Sequence, residues 1–194
     1  MDSEQGKRIV IDLSKAPGGH ALWNKSKIVI YCWGIVERLF VTNSWQISSR
    51  IRVTALRMFG AKIGNDVIFR PRTRVSFPWN LEIGDRSWIG EGVWFHNQNV
   101  INVGSDVVIS QEAFLTTGSH AHRKDMGLIT KEITISDGAW VTSRGVILGG
   151  VKMGTNSLSA PLSVVSKSVA DNTIVQGNPA LPIGPRFLDS TAGE

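Results

Sequence analysis

Ile63-Gly64-Asn65-Asp66-Val67-Ile68 means little alone, but it returns along the chain. Ile83-Gly84-Asp85-Arg86-Ser87-Trp88 and Val103-Gly104-Ser105-Asp106-Val107-Val108 have the same form. So do Ile135-Ser136-Asp137-Gly138-Ala139-Trp140 and Met153-Gly154-Thr155-Asn156-Ser157-Leu158. Three of these blocks are followed, six residues on, by another of the kind: Ile89-Gly90-Glu91-Gly92-Val93, Ile109-Ser110-Gln111-Glu112-Ala113 and Val141-Thr142-Ser143-Arg144-Gly145. The rule is an aliphatic residue, a small one, two polar ones, then a small or β-branched one.

The spacing selects the architecture. From 135 a step of six runs through 141, 147, 153, 159 and 165, whereas 63, 83 and 103 are 20 apart. Three hexapeptides make eighteen, so the early turns carry about two extra residues at one corner. A triangular coil explains both registers. Each hexapeptide makes one short strand and one corner, the aliphatic residue points into a narrow interior, and stacked turns pair through parallel strands. A β-sandwich with turns rich in Gly, Asn and Asp would account for single blocks but not for two long-range registers. The expected fold is an all-β solenoid, a parallel β-helix of hexapeptide repeats over 61–170. A helical segment precedes it over 1–60, and a tail follows over 171–194.

With 194 residues and 42% hydrophobic content, the chain suits one domain with an appendage and is too apolar for intrinsic disorder. The net charge is +5, and its basic residues are scattered rather than gathered on a dense face, so no nucleic-acid partner is expected. A single cysteine, Cys32, excludes a disulfide framework within one chain and a multi-Cys zinc site. No segment has the roughly 18–20 apolar residues of a membrane span, and Met1–Arg8 is polar with two acids. A soluble, cytoplasmic protein is expected.

Trp23–Val41 and Ser44–Phe59 read as two helices, the second ending at Gly60. The first is apolar on most faces and needs cover, from the coil, from a neighbouring subunit or from a membrane surface. One large break interrupts the repeat. Val103 to Ile135 is 32 residues where eighteen would suffice, so about 14 leave the coil within 117–131. A polar excursion bearing His120 and His122 on a rigid scaffold is where function is expected.

The hexapeptide register, Thr116-Thr117-Gly118-Ser119-His120 at the start of the excursion, Ala139-Trp140-Val141, and the ending Gly177-Asn178-Pro179-Ala180 resemble the hexapeptide-repeat acyltransferases. The likeness is greatest to galactoside and maltose O-acetyltransferases and to colanic-acid-type acetyltransferases of polysaccharide biosynthesis. It runs from about Phe59 to Arg186. It implies a left-handed β-helix, a homotrimer with active sites between protomers, acetyl-CoA as co-substrate, no metal, and a sugar or glycan acceptor. A lipid-linked acceptor would bring the protein to the inner membrane face.

By that resemblance His120 is the general base that deprotonates the acceptor hydroxyl, a task an imidazole with pKa near 6.5 performs around neutral pH. Asn97 and His122 are expected beside the acceptor; a corner asparagine bonded to backbone is the structural alternative for Asn97. Trp140, Ser143, Gly145 and Ala160 are the expected CoA contacts, with Lys167 and Arg186 toward its phosphates. The chain departs from the family at Ala160-Pro161-Leu162-Ser163, where Gly-Ala-Gly-Ser is common, and at Leu181 and Gly184, where basic residues are frequent. Two other functions fit the same fold. Three histidines, His96, His120 and His122, suit a γ-type carbonic anhydrase-like metalloenzyme, and the altered Ala160–Leu162 stretch suits a catalytically inactive scaffold.

Overall fold

The computed structural model describes residues 10–18 and 24–188. Short parallel strands stack into three faces around a triangular interior. The first face holds Lys62–Ile63, Leu81–Ile83, Ile101–Val103, Ile133–Ile135 and Lys152–Met153. The second holds Ile68–Phe69, Trp88–Ile89, Val108–Ile109, Trp140–Val141, Leu158–Ser159 and Thr173–Gly177. The third holds Arg74–Val75, Trp94–His96, Phe114–Thr116, Val146–Leu148 and Val164–Val165. This is the left-handed β-helix, about six turns long.

The repeat rule follows from this geometry. Ile83, Ile89 and Phe95 of one turn point inward and are buried, as are Val103, Ile109 and Leu115 of the next. The small residue after each first-face aliphatic is fixed by contact with the neighbouring turn: a Cβ on Gly84 would lie 2.6 Å from the Gly104 carbonyl carbon. Corners need one left-handed residue. Asp66, Arg86, Asp106 and Asn156 supply it between the first and second faces, and Arg72, Glu112, Arg144 and Leu162 between the second and third, all at φ of 54–61°. Asp85 and Asp137 add rungs of their own, accepting the Asn65 and Ser105 N–H groups at 2.6 and 2.8 Å.

Two helices close the first turn. Helix α1 spans Lys27–Val36, with Ser26 as its N-cap, and runs into a π-helical turn at Glu37–Val41. Trp33 is buried, and its indole N–H donates to the Val75 carbonyl at 2.8 Å, while the Glu37 carboxylate accepts the Val75 N–H at 2.7 Å. Those two bonds seat α1 on the third face. Helix α2 spans Ser49–Met58. Ser49 Oγ accepts the Phe69 N–H, and Arg57 donates to the carbonyls of Ile63 and Gly64, so α2 satisfies polar groups of the first turn.

The helix boundaries differ from the sequence expectation. Trp23 lies outside the described residues, and α2 starts at Ser49 rather than Ser44. Asn43 Oδ1 accepts the Trp45 N–H and Gln46 Nε2 donates to the Phe40 carbonyl, so these side chains hold residues 43–48 in a turn. Gly60 follows α2 at φ +96°, as a helix-ending glycine should. The coil also continues beyond 170. Thr173–Gly177 pairs in parallel with Leu158–Ser159, and Ala180–Pro185 folds back antiparallel upon it. Of the tail expected over 171–194, residues 189–194 lie outside the described residues.

Candidate active site

The excursion of 117–131 is a β-hairpin. Gly118–His120 pairs antiparallel with Leu128–Thr130, matching Gly118 with Thr130 and His120 with Leu128. At its base the Lys131 N–H donates to the Thr117 carbonyl at 2.9 Å. At its tip Asp125 Oδ1 accepts the Gly127 N–H at 2.9 Å, and Met126 takes a left-handed conformation at φ +58°. Met126 thereby presents its carbonyl to His120 Nδ1 at 2.8 Å. A carbonyl only accepts, so Nδ1 carries the proton and Nε2 keeps its lone pair. An exposed imidazole held in that tautomer has the arrangement a general base requires.

His120 lines a cleft of about 470 Å³ with His122, Arg123, Lys124, Lys131 and Ser166 among its walls. Among the described residues no carboxylate lines it. The cleft follows the edge between the third and first faces, from the hairpin to the coil two turns on. His122 thus lines the same cleft as His120. Lys167, next to Ser166, is exposed on this same edge rather than away from the hairpin.

The remaining expected site residues are elsewhere. Trp140 is on the second face, its indole N–H donating to Ser110 Oγ at 2.8 Å. Arg186 is near it: Nη1 donates to the Gly138 carbonyl at 2.6 Å, and the guanidinium lies 5.9 Å from the Trp140 ring centroid. Ser143 and Ala160 occupy the edge between the second and third faces, Ser143 Oγ bonding Gln111 Oε1 at 3.1 Å. Within one chain, none of these four shares the His120 cleft.

Two of the expected residues have their polar groups engaged within the coil. Asn97 is fully buried, and its carboxamide is spent on Phe77, accepting the N–H at 3.0 Å and donating to the carbonyl at 2.6 Å. It braces the widened corner and cannot reach an acceptor without breaking both bonds. Gly145 is buried, its N–H donating to the Thr142 carbonyl and its own carbonyl accepting from Phe114 N–H. Both of its backbone polar groups are thus engaged within the coil.

His96 has a role that the sequence did not suggest. It is half-buried below the hairpin, Nδ1 lying 2.9 Å from Thr116 Oγ1, with its ring against Trp94 and Phe114. Burial, aided by the nearby Arg74 charge, holds its pKa below the ordinary 6.5. Among the described residues no three His, Cys, Asp or Glu side chains group where they could hold a metal ion, so His96, His120 and His122 form no metal-binding triad within the chain.

The sequence is 35% identical over 160 residues to the putative colanic acid biosynthesis acetyltransferase WcaF of Escherichia coli, covering 82% of this chain and 88% of that one. The chain belongs to the hexapeptide-repeat acetyltransferases. This acetyltransferase is also 26% identical over 132 residues to the galactoside O-acetyltransferase of Escherichia coli, covering 66% of this chain and 65% of the relative. Its fold matches a hexapeptide-repeat acetyltransferase from Vibrio cholerae with a TM-score of 0.75 at 24% identity, covering 89% and 96% of the two chains. It also matches a galactoside acetyltransferase solved with coenzyme A, with a TM-score of 0.74 at 19% identity, covering 88% and 92%. No family model matches the chain.

Proposed function

We propose that this acetyltransferase moves the acetyl group of acetyl-CoA directly to a sugar hydroxyl in polysaccharide or glycan biosynthesis, with His120 as the general base. The observation that carries the reading is the Met126 carbonyl on His120 Nδ1, which leaves Nε2 free to take a proton in an acid-free cleft. Nε2 accepts the hydroxyl proton as the sugar oxygen attacks the thioester carbon. The resulting oxyanion is stabilised by backbone N–H groups. Its collapse expels the CoA thiolate, which receives the proton from His120. No covalent enzyme intermediate is involved.

The active unit is a homotrimer, in the cytoplasm where the coenzyme is supplied. The separation of His120 from Ser143 and Ala160 onto different edges supports this, since two protomers side by side can bring one edge of each together. Trp140 and Arg186 serve CoA from the neighbour's second face, Lys167 serves its phosphates, and His122 contacts the acceptor. The altered Ala160-Pro161-Leu162 corner does not argue for an inactive scaffold. Leu162 keeps the left-handed φ of Glu112 and Arg144, and Ala160 N–H still bonds the Val175 carbonyl at 2.7 Å.

The test is a screen of acetyl transfer from acetyl-CoA to free sugars, nucleotide sugars and oligosaccharide repeat units, followed by His120→Ala and His122→Ala on the best acceptor. His120→Ala should lower kcat about 10²- to 10⁴-fold, and His122→Ala far less. The reverse order would overturn the assignment of the base.

A further inference from the structure

The N-terminal helical segment exposes an apolar stripe where a soluble protein would place polar residues. Along α1 and the π-helical turn, Ile28, Tyr31, Ile35 and Leu39 are 74%, 71%, 61% and 54% exposed. The spacing puts them on one side of the helix, opposite buried Trp33. Both sides of α1 are therefore apolar, and the coil covers only one. The turn that follows carries two more exposed apolar residues, Trp45 at 92% and Ile47 at 85%. No helix of the described residues is long and apolar enough to cross a membrane.

Charge identifies what covers this stripe. Residues 24–58 hold six basic side chains against one acid, Glu37, an excess equal to the +5 of the entire chain. The remaining residues, coil included, balance to zero. Glu37 faces inward, its carboxylate on the Val75 N–H, and Arg52 is buried against the Val41 and Asn43 carbonyls, which leaves Lys25, Lys27, Arg38, Arg50 and Arg57 as the exposed charges of the segment. Lys27 and Arg38 flank the stripe on the same helical stretch, and both are exposed. An apolar stripe carrying Tyr and edged by cations is the pattern of a helix lying in a membrane interface, where apolar side chains enter the acyl boundary and basic ones meet headgroups.

We propose that α1 and the turn after it dock this acetyltransferase on a lipid surface rich in anionic headgroups. The inference is independent of the acetyl-transfer reading, because it rests on residues outside the cleft. The hydrophobic stripe supplies attachment, and the basic residues supply preference for negative lipid. A second copy of the chain would also bury the stripe, and the sedimentation coefficient of the serine variant distinguishes that case.

The experiment is co-sedimentation of the full chain with vesicles of phosphatidylcholine alone or mixed with phosphatidylglycerol. Binding should be at least tenfold stronger to the mixed vesicles and should weaken as salt is raised. Tyr31→Ser with Ile35→Ser should reduce binding at least tenfold, while leaving the melting temperature and sedimentation coefficient unchanged. Lys27→Gln with Arg38→Gln should narrow the difference between the two vesicle types. Equal or absent binding of the wild type to both would overturn the proposal. So would a double serine variant that binds normally, or one whose subunits dissociate, which would make the stripe a contact between copies. Acetyl transfer in solution, followed in parallel, separates failure here from failure of the enzymatic reading.

Discussion

Coil and hairpin differ in what each residue depends on. In the coil, Ile109 pairs with Ile89 of the turn before and Val141 of the turn after, so its environment is fixed by residues 20 and 32 positions away. In the hairpin, His120 depends on Leu128 across the ribbon and on Met126 at the tip, all inside the same excursion. A stacked architecture can accept such an excursion because the turns on either side still pair: Ile101–Val103 lies directly against Ile133–Ile135. On the proposed mechanism, stability and chemistry are thus carried by different residues.

The sharpest way to break that division is to damage each region in turn. Ile109→Ala, which empties a fully buried site, should cost about 2–5 kcal/mol in denaturant unfolding while preserving kcat per folded molecule. Replacing the tip 121–127 with Asn-Gly should reduce transfer to background while shifting stability by no more than about 1 kcal/mol. Unfolding of the tip variant, or loss of kcat in a folded Ile109→Ala protein, would show the two regions to be coupled.

A smaller effect sharpens the comparison at the boundary, where His96 lies beneath the hairpin. Its folded pKa is depressed, so the unfolded chain takes up the proton first as pH falls. The stability it confers is complete above about 6.5 and is lost as pH drops from there toward the folded pKa. Thermal melts across this range should show the decline in the wild type and a shallower one in His96→Gln. Equal slopes would mean that the imidazole is not held neutral by the fold.

The smallest expected effect belongs to Lys167, an exposed charge on the edge that the cleft follows. Lys167→Ala should raise KM for acetyl-CoA a few-fold at low salt with kcat nearly unchanged, and the gap should close as salt screens it. An unchanged KM at low salt would move the phosphates toward Arg186.

How much of this was legible in the sequence depended on period. The coil could be read because its constraint recurs: every turn needs an inward aliphatic and a small residue at the crowded corner, so one error is outvoted by the other turns. The end of the coil was misplaced because the period shortens there. Val169 bridges Met153 sixteen residues away rather than eighteen, which hid the continuation to Val175. His120 could be named from its motif, but the hairpin that holds it has no repeat to read. Asn97 and Gly145 were hard to read for a different reason: a polar or small residue at a corner looks the same whether it faces a ligand or the next rung. The start of α2 was lost to Asn43 and Gln46, whose side chains bond backbone locally and outweigh helical periodicity.

The partner of His120 Nδ1 is a main-chain oxygen, and this affects how freely the tip can vary. Where a carboxylate orients a histidine, one codon change can abolish the orientation. Here any residue that accepts the left-handed turn at 126 brings the same carbonyl, so such a change of side chain leaves the proton on Nδ1. What the tip must conserve is its backbone path: the left-handed turn at Met126, the Asp125 bond that supports it, and the number of residues between His120 and Leu128. The proposed mechanism therefore depends on loop length and turn shape more than on the side chain at 126. Arg123 and Lys124, which line the cleft, can change their side chains without altering the carbonyl that holds His120.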